Sequence, residues 1–292
     1  MSAVFAGMPN VGTLLRLGRI SNVPTVWTNV IAGGVISGGA LEAGQLMLAA
    51  WAMTAFYVGG MYLNDFFDRE IDARERPGRP IDAGEIGARA VSVIGFGLLV
   101  LGLLLLLPFG AHAVAWGAAL AAMITFYDLW HKGNVFSPLI MGLCRALVYL
   151  GAGAAMAGTV SAPLVLGSFA LFAHVVGLTY AAKQENLNRI GRLWPLGILA
   201  VPMLLVLPSL TSHAAIIPAF VLLLLADGAA IRLLVERAGP RAVPRAVSGL
   251  IAAICLVDAL AVAAAGGSVW LVAICVMGYP LTRLFQTSIP GT

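Results

Sequence analysis

The sequence predicts an all-α fold, a polytopic membrane bundle of nine or ten transmembrane helices. Three observations lead there. Of 292 residues, 60% are hydrophobic and only 10% are charged, whereas soluble domains carry about 25% charged residues; the mean hydropathy is +0.96. Apolar runs of about 20 residues, each enough to cross a hydrocarbon core of about 30 Å, recur down the whole length. Lysine and arginine fall in every second connection between those runs, the pattern of a chain that crosses a bilayer back and forth.

The runs cover residues 20–40, 44–63, 90–109, 112–127, 136–157, 163–181, 194–209, 214–235, 246–265 and 268–282, nine of them clear and one weaker. Each is read as a helix, because backbone polar groups in lipid need partners within their own segment. Arg16 and Arg19 precede the first run, and Arg69, Arg74, Arg76, Arg79 and Arg89 separate the second from the third. Lys132 follows the fourth, Lys183, Arg189 and Arg192 the sixth, Arg232, Arg237, Arg241 and Arg245 surround the link after the eighth, and Arg283 closes the last. The alternate connections hold neither residue type. These observations place the amino terminus and the charged connections in the cytoplasm, in one integral domain of the cell membrane spanning residues 1–292. The net charge of +4 is explained by this loop asymmetry, so nucleic acid is not expected as a partner. The amino terminus lacks the order of a cleaved signal, and none is expected. Cys144, Cys255 and Cys275 sit far apart in apolar surroundings and read as small core residues.

Charge is concentrated in one place. Residues 64–81 read NDFFDREIDARERPGRPI and hold nine charged side chains in 18 positions. The stretch continues the second apolar run. On a helix, residues four apart share a face, so Asn64, Asp68 and Asp72 form a stripe with Asp65 on its flank. An amide and several carboxylates offer hard oxygens that suit Mg²⁺ held jointly with a substrate phosphate; without a cation the acids repel one another. The helix ends at RPGRPI, a turn that can return Arg79 over the acids.

The pattern N-D-x-x-D-x-x-x-D at Asn64, Asp65, Asp68 and Asp72, followed by Arg79-Pro80, resembles the first aspartate-rich signature of the UbiA superfamily of intramembrane prenyltransferases. The glycine-rich first run and the Tyr127-to-Lys132 loop agree with it. The resemblance implies a helical bundle with a polar cap over an apolar cavity, facing the cytoplasm. It implies Mg²⁺-dependent transfer of a prenyl or polyprenyl group from an isoprenoid diphosphate to an acceptor, among membrane lipids. By position, Asn64, Asp68 and Asp72 would hold metal, with Asp65 beside them. Arg79 and Lys132 would meet the diphosphate, and Arg19 and Asn22 would line the polar cavity. An allylic cation also needs an apolar tunnel with aromatic faces, for which Trp27, Phe56, Tyr57, Tyr62, Phe126 and Tyr149 are available.

The chain departs from the family at its second aspartate motif. Positions where aspartates are expected hold Gln184 and Asn188, leaving Glu185 as the carboxylate of that loop. Amides ligate Mg²⁺ without formal charge, so a second ion is expected to bind weakly or not at all. Glu185 either replaces a lost aspartate or pairs with Arg189 one turn on, and Lys183 and Arg189 are placed to grip diphosphate directly. Catalysis is accordingly expected to rest on Asp68, Asp72 and Glu185, with Lys183, Gln184 and Asn188 among the substrate contacts. Arg145, within the fifth run, needs an anion or a wet cavity; it either binds substrate or pairs with Asp227 or Asp258. His174 is read first as a packed structural histidine and second as an acceptor contact. The competing function is a transporter or a non-catalytic binder of an anionic isoprenoid lipid or metabolite.

Overall fold

A computed structural model describes residues 10–75, 78–183, 193–236 and 241–291, and among them every regular element is helical. Asn10 caps α1 (Val11–Leu17), its side-chain oxygen accepting from the Gly12 amide at 3.1 Å. The chain then turns on Arg19, at φ 42°, and a single 3-10 turn, Ile20–Asn22, leads into α2 (Val23–Ser37). Pro24 lies in the first turn of α2, where no intrahelical N–H is lost. The apolar run at 20–40 therefore contains a shorter helix than its length suggests.

α3 (Ala43–Glu75) has 33 residues, about 50 Å at the α-helical rise, which is well beyond the thickness of the hydrocarbon core. Its carboxyl-terminal part carries the carboxylate register out of the apolar zone as one unbroken helix, as anticipated. α4 (Ala88–Leu106), α5 (Ala111–Trp130), α6 (Ser137–Ala157) and α7 (Ala162–Lys183) follow. The next apolar run is broken into a 3-10 stretch, Trp194–Ala200, the short α8 (Val201–Val206) and a 3-10 turn, Leu207–Ser209. Pro195, Pro202 and Pro208 lie at the starts of these pieces and each removes a backbone donor. α9 (Ile216–Glu236), α10 (Ala242–Ala264) and α11 (Val269–Phe285) complete the bundle.

Among the described residues, seven helices, α3 to α7 with α9 and α10, are long and apolar enough to cross a membrane, making this a multi-pass membrane protein. α2, the broken segment 194–209 and α11 are shorter, so seven of the expected nine or ten crossings are matched in length.

α10 lies against α2, α7, α9 and α11, while α2 also meets α3 and α6. The α2–α6 contact and the one between α3 and α4 depend on glycine. A Cβ on Gly33 would come within 2.8 Å of the Tyr149 carbonyl oxygen, and one on Gly59 within 2.9 Å of the Gly95 carbonyl oxygen, so any side chain would force α2 from α6 or α3 from α4. The described residues form three apolar cores, a small one at Leu17, Tyr62, Ile86 and Val91 and two larger. One gathers Val26, Met53, Phe56, Leu120 and Val148 from α2 to α6; the other gathers Leu171, Leu199, Leu223, Leu250 and Ile254 from the later helices. Cys144, Cys255 and Cys275 are buried and unbridged, as expected.

Candidate active site

A cavity of about 270 Å³, charged on one wall and apolar on the other where Val175, Leu178, Val247, Ile251 and Ile254 line it, opens at the carboxyl-terminal end of α3. The four-residue register brings Asn64, Asp68 and Asp72 onto its wall, where Arg19, Asn22, Arg79, Lys132, Arg145 and Lys183 also line it. Gly78, at φ 100°, supplies the reversal that returns Arg79 toward the acids. Asp68 Oδ2 lies 3.1 Å from His131 Nε2 and 3.2 Å from Lys132 Nζ. Asp72 is 3.8 Å from Arg79 Nε and 4.0 Å from Lys132 Nζ. Acids repeating every four residues repel; cations from two other segments offset that repulsion.

Asp65, grouped with the metal donors from sequence, does not line the cavity. Its Oδ1 instead receives Arg79 at 3.1 Å and Arg19 at 3.4 Å, so this carboxylate holds both guanidinium groups at the rim. Asn22 lines the wall with its amide engaged, donating to the Gly291 carbonyl at 2.9 Å and accepting from Gln286 at 3.1 Å. Lys183 donates to the Asn134 carbonyl at 2.5 Å and to Ser137 Oγ at 2.9 Å, tethering the end of α7 to the start of α6. Gln184, Glu185 and Asn188 lie outside the described residues, as does Arg189.

Sequence reasoning missed two members of the site, both on or beside α5. Asp128 is buried, accepts from the Asn64 amide at 3.2 Å, and its Oδ2 has no hydrogen-bond partner among the described residues. His131 stacks on Tyr127 with ring centroids 4.8 Å apart and faces Asp68. The spacings Tyr127–His131 and Asp128–Lys132, each one turn of helix, were the available clue.

Beneath the carboxylate-lined cavity lies a smaller chamber of about 90 Å³, walled mostly by apolar side chains, Val26, Phe56, Leu120, Ile124 and Val148, with the Asp128 carboxyl among them. Tyr57, Met61, Tyr127 and Arg145 border both spaces. Of the aromatic residues proposed for an apolar tunnel, Phe56 and Tyr57 line it. Tyr62 instead donates to the Leu14 carbonyl, Trp27 to Thr54, and Tyr149 to Asp258, while Phe126 is exposed.

Arg145 resolves differently from either alternative alone. It borders both spaces, yet its Nη1 donates to Asn29 Oδ1 at 2.8 Å and its Nη2 to Thr25 Oγ1 at 3.1 Å, with the guanidinium 5.4 Å over the Tyr57 ring. Asn29 turns its amide to Asp258 at 2.9 and 2.8 Å. The expected acid is present, but one amide stands between the charges. Among the described residues Arg145 makes no direct salt bridge to Asp258 or Asp227. His174 is packed: it is fully buried, with Nε2 3.1 Å from the Leu250 carbonyl and Nδ1 3.7 Å from Asp227, and it does not line the polar cavity.

Among the described residues, no three His, Cys, Asp or Glu side chains gather closely enough to hold a metal alone. The donor set still fits Mg²⁺. That ion keeps much of its octahedral shell for water and phosphate oxygens and takes only one or two protein carboxylates, which Asp68 and Asp72 can supply beside the Asn64 amide oxygen.

The sequence matches no curated protein at a significant level. Solved structures share the fold. A digeranylgeranylglyceryl phosphate synthase is 21% identical, with TM-score 0.63, over 89% of this chain and all of that one. A UbiA homologue from Archaeoglobus fulgidus, bound to DMAPP and Mg²⁺, is 13% identical at TM-score 0.51, over 94% of this chain and 86% of its own. One from Aeropyrum pernix K1 is 18% identical at TM-score 0.52, over 90% and 96%. The model of the UbiA prenyltransferase family matches residues 23–288. With that match across nearly the whole bundle, the chain belongs to the UbiA prenyltransferase family.

Proposed function

We propose that this protein transfers a prenyl or polyprenyl group from an isoprenoid diphosphate to an acceptor within the cell membrane, using Mg²⁺ at a site that faces the cytoplasm. The observation that carries the reading is the vertical order of the site: acids paired with cations at the mouth, and a mostly apolar chamber directly beneath. The Archaeoglobus fulgidus homologue holding DMAPP and Mg²⁺ supports it. Lys and Arg in alternate connections support the orientation.

Ionisation of an allylic diphosphate breaks one C–O bond and leaves the electron pair on the departing pyrophosphate. Asn64, Asp68 and Asp72 would hold Mg²⁺, which would supply positive charge to that leaving group. Arg79 and Lys132 now sit against Asp65, Asp68 and Asp72; a diphosphate entering the cavity becomes their competing anion and receives them where charge develops. Asp65 keeps Arg19 and Arg79 oriented as this occurs. Below, Tyr57 and Tyr127 stand at the boundary where the cation forms, and aromatic rings stabilise it. The apolar side chains of the lower chamber, Val26, Phe56, Leu120, Ile124 and Val148, limit the water that would otherwise capture it. Arg145, with N–H groups beyond the two it gives to Asn29 and Thr25, is placed to receive a polar group of the acceptor. Glu185, Gln184 and Asn188 keep in this reading the roles that the sequence pattern assigns them.

The test uses full-length protein in membranes of the expressing host, which supply candidate acceptors, with labelled geranylgeranyl diphosphate. Pyrophosphate release is expected with Mg²⁺ and is expected to stop when EDTA removes the ion. Saturable binding without release would mark a non-catalytic binder, and absence of both would overturn the reading.

A further inference from the structure

We propose that a second anion site, built by Arg241, Arg245 and Arg283, binds the phosphomonoester headgroup of an amphiphile beside the reactive cavity. This goes beyond the proposed transfer and does not depend on it. Arg241 and Arg245 stand one turn apart at the start of α10, and Arg283 lies in the last turn of α11. With Ser248, they line a separate open cavity of about 320 Å³. No carboxylate lies within salt-bridge distance of any of the three among the described residues. Arg283 donates to the amide oxygen of Gln286 at 3.0 Å instead.

Loop orientation alone accounts for arginine in a cytoplasmic connection but not for this arrangement. Arg232, just before the same connection, makes an ordinary surface pair with Glu236 at 2.7 Å, four residues on. Arg241 and Arg245, by contrast, place like charges on one face, which is unfavourable in isolation, and α11 then brings a third toward them. The amino-terminal end of α10 adds the positive end of its dipole, with no side chain capping it. An anion offsets all of these at once. Guanidinium forks suit phosphate oxygens, and Ser248 adds a neutral hydroxyl donor.

The source of the phosphate follows from position. Leu281, Leu284 and Phe285 are exposed on the same end of α11, where acyl chains would lie, and basic pockets between helices at a membrane face receive anionic lipid headgroups. The buried Gly291 forms part of the wall of both this cavity and the carboxylate-lined one. Its carbonyl holds Asn22, and Gln286 links Asn22 to Arg283. The two anion sites are therefore neighbours separated by the carboxyl-terminal tail.

The experiment titrates full-length protein in neutral detergent with dioctanoyl phosphatidate, read by native mass spectrometry, with inorganic phosphate and dioctanoyl phosphatidylcholine in parallel arms. One saturable phosphatidate is expected. Replacing both exposed arginines, Arg241→Gln with Arg245→Gln, should weaken it about thirtyfold, the loss expected for two headgroup contacts. Arg232→Gln should leave it unchanged. Geranylgeranyl diphosphate binding should survive the double substitution and fall with Asp68→Ala, so failure of this site is distinguishable from failure of the transfer reaction. Inorganic phosphate that displaces phosphatidate at equal concentration would overturn the amphiphile and point to free phosphate. Equal binding of phosphatidylcholine, or unchanged binding in the double variant, would overturn the site.

Discussion

Asp68 and Asp258 are both almost sealed from solvent, 6% and 0% exposed, yet their partners are of opposite kinds. Asp68 meets His131 and Lys132, side chains that border a cavity and can turn to an incoming anion. Asp258 accepts from Thr28 and Tyr149 at 2.5 Å each and from Asn29 at 2.9 and 2.8 Å, all buried and neutral. One acid is held by exchangeable charge and the other by fixed dipoles. The same residue type thus serves a reacting surface in α3 and a brace in α10, where Asp258 ties α2 and α6 together and, through Asn29, orients Arg145. A third acid, Asp227, shows the cost of having neither: no hydrogen bond reaches its oxygens among the described residues, and His174 lies 3.7 Å away.

Substitutions can break this contrast. Asp68→Asn keeps the shape and removes the charge, so turnover should fall by about a thousandfold, the scale of several kcal/mol of lost leaving-group neutralisation, while thermal stability stays close to the parent. A large drop in melting temperature with activity intact would put Asp68 in the same class as Asp258. Asp258→Ala should act first on stability, lowering turnover only through the Arg145 that Asn29 orients. Stripping the acceptor from three buried donors should cost about 3 kcal/mol of stability, in line with breaking a buried network, measured by unfolding in detergent. Tyr149→Phe removes a single bond from the same acid and should cost about 1.5 kcal/mol. A Tyr149→Phe loss equal to that of Asp258→Ala would mean that the network acts as one unit rather than as separate bonds.

The smallest effect lies outside the membrane zone. Glu85 accepts from the Thr13 hydroxyl and pairs with Arg16, fastening α1 to the turn after α3. The Thr13 hydrogen bond, aided by the Arg16 charge, holds its carboxyl below the usual value. With the folded value lower than the unfolded one, this contact is present above the ordinary carboxylate range and is lost as pH falls through the lowered value. Protection of residues 11–17 against amide exchange, corrected for the intrinsic rate at each pH, should therefore fall in acid, and Glu85→Gln should abolish that fall.

What could be read directly is local. Apolar length and the absence of charge mark helices because lipid leaves the backbone no other partner. A four-residue repeat at Asn64, Asp68 and Asp72 marks one face because the α-helix has a fixed turn. Prolines and glycine after Asp72 marked the reversal that brings Arg79 back. What folding alone decided is which residues meet across segments. His131 and Asp128 join the site only because α5 crosses α3, and Asp65 faces two arginines because those arginines come from elements on either side of α3 in sequence. Asn29 stands between Arg145 and Asp258 although all three are distant along the chain. The pattern of one segment carries its own periodicity. The free energy of a buried charge depends on whichever groups other segments bring within hydrogen-bonding distance, and that is a property of the packed bundle.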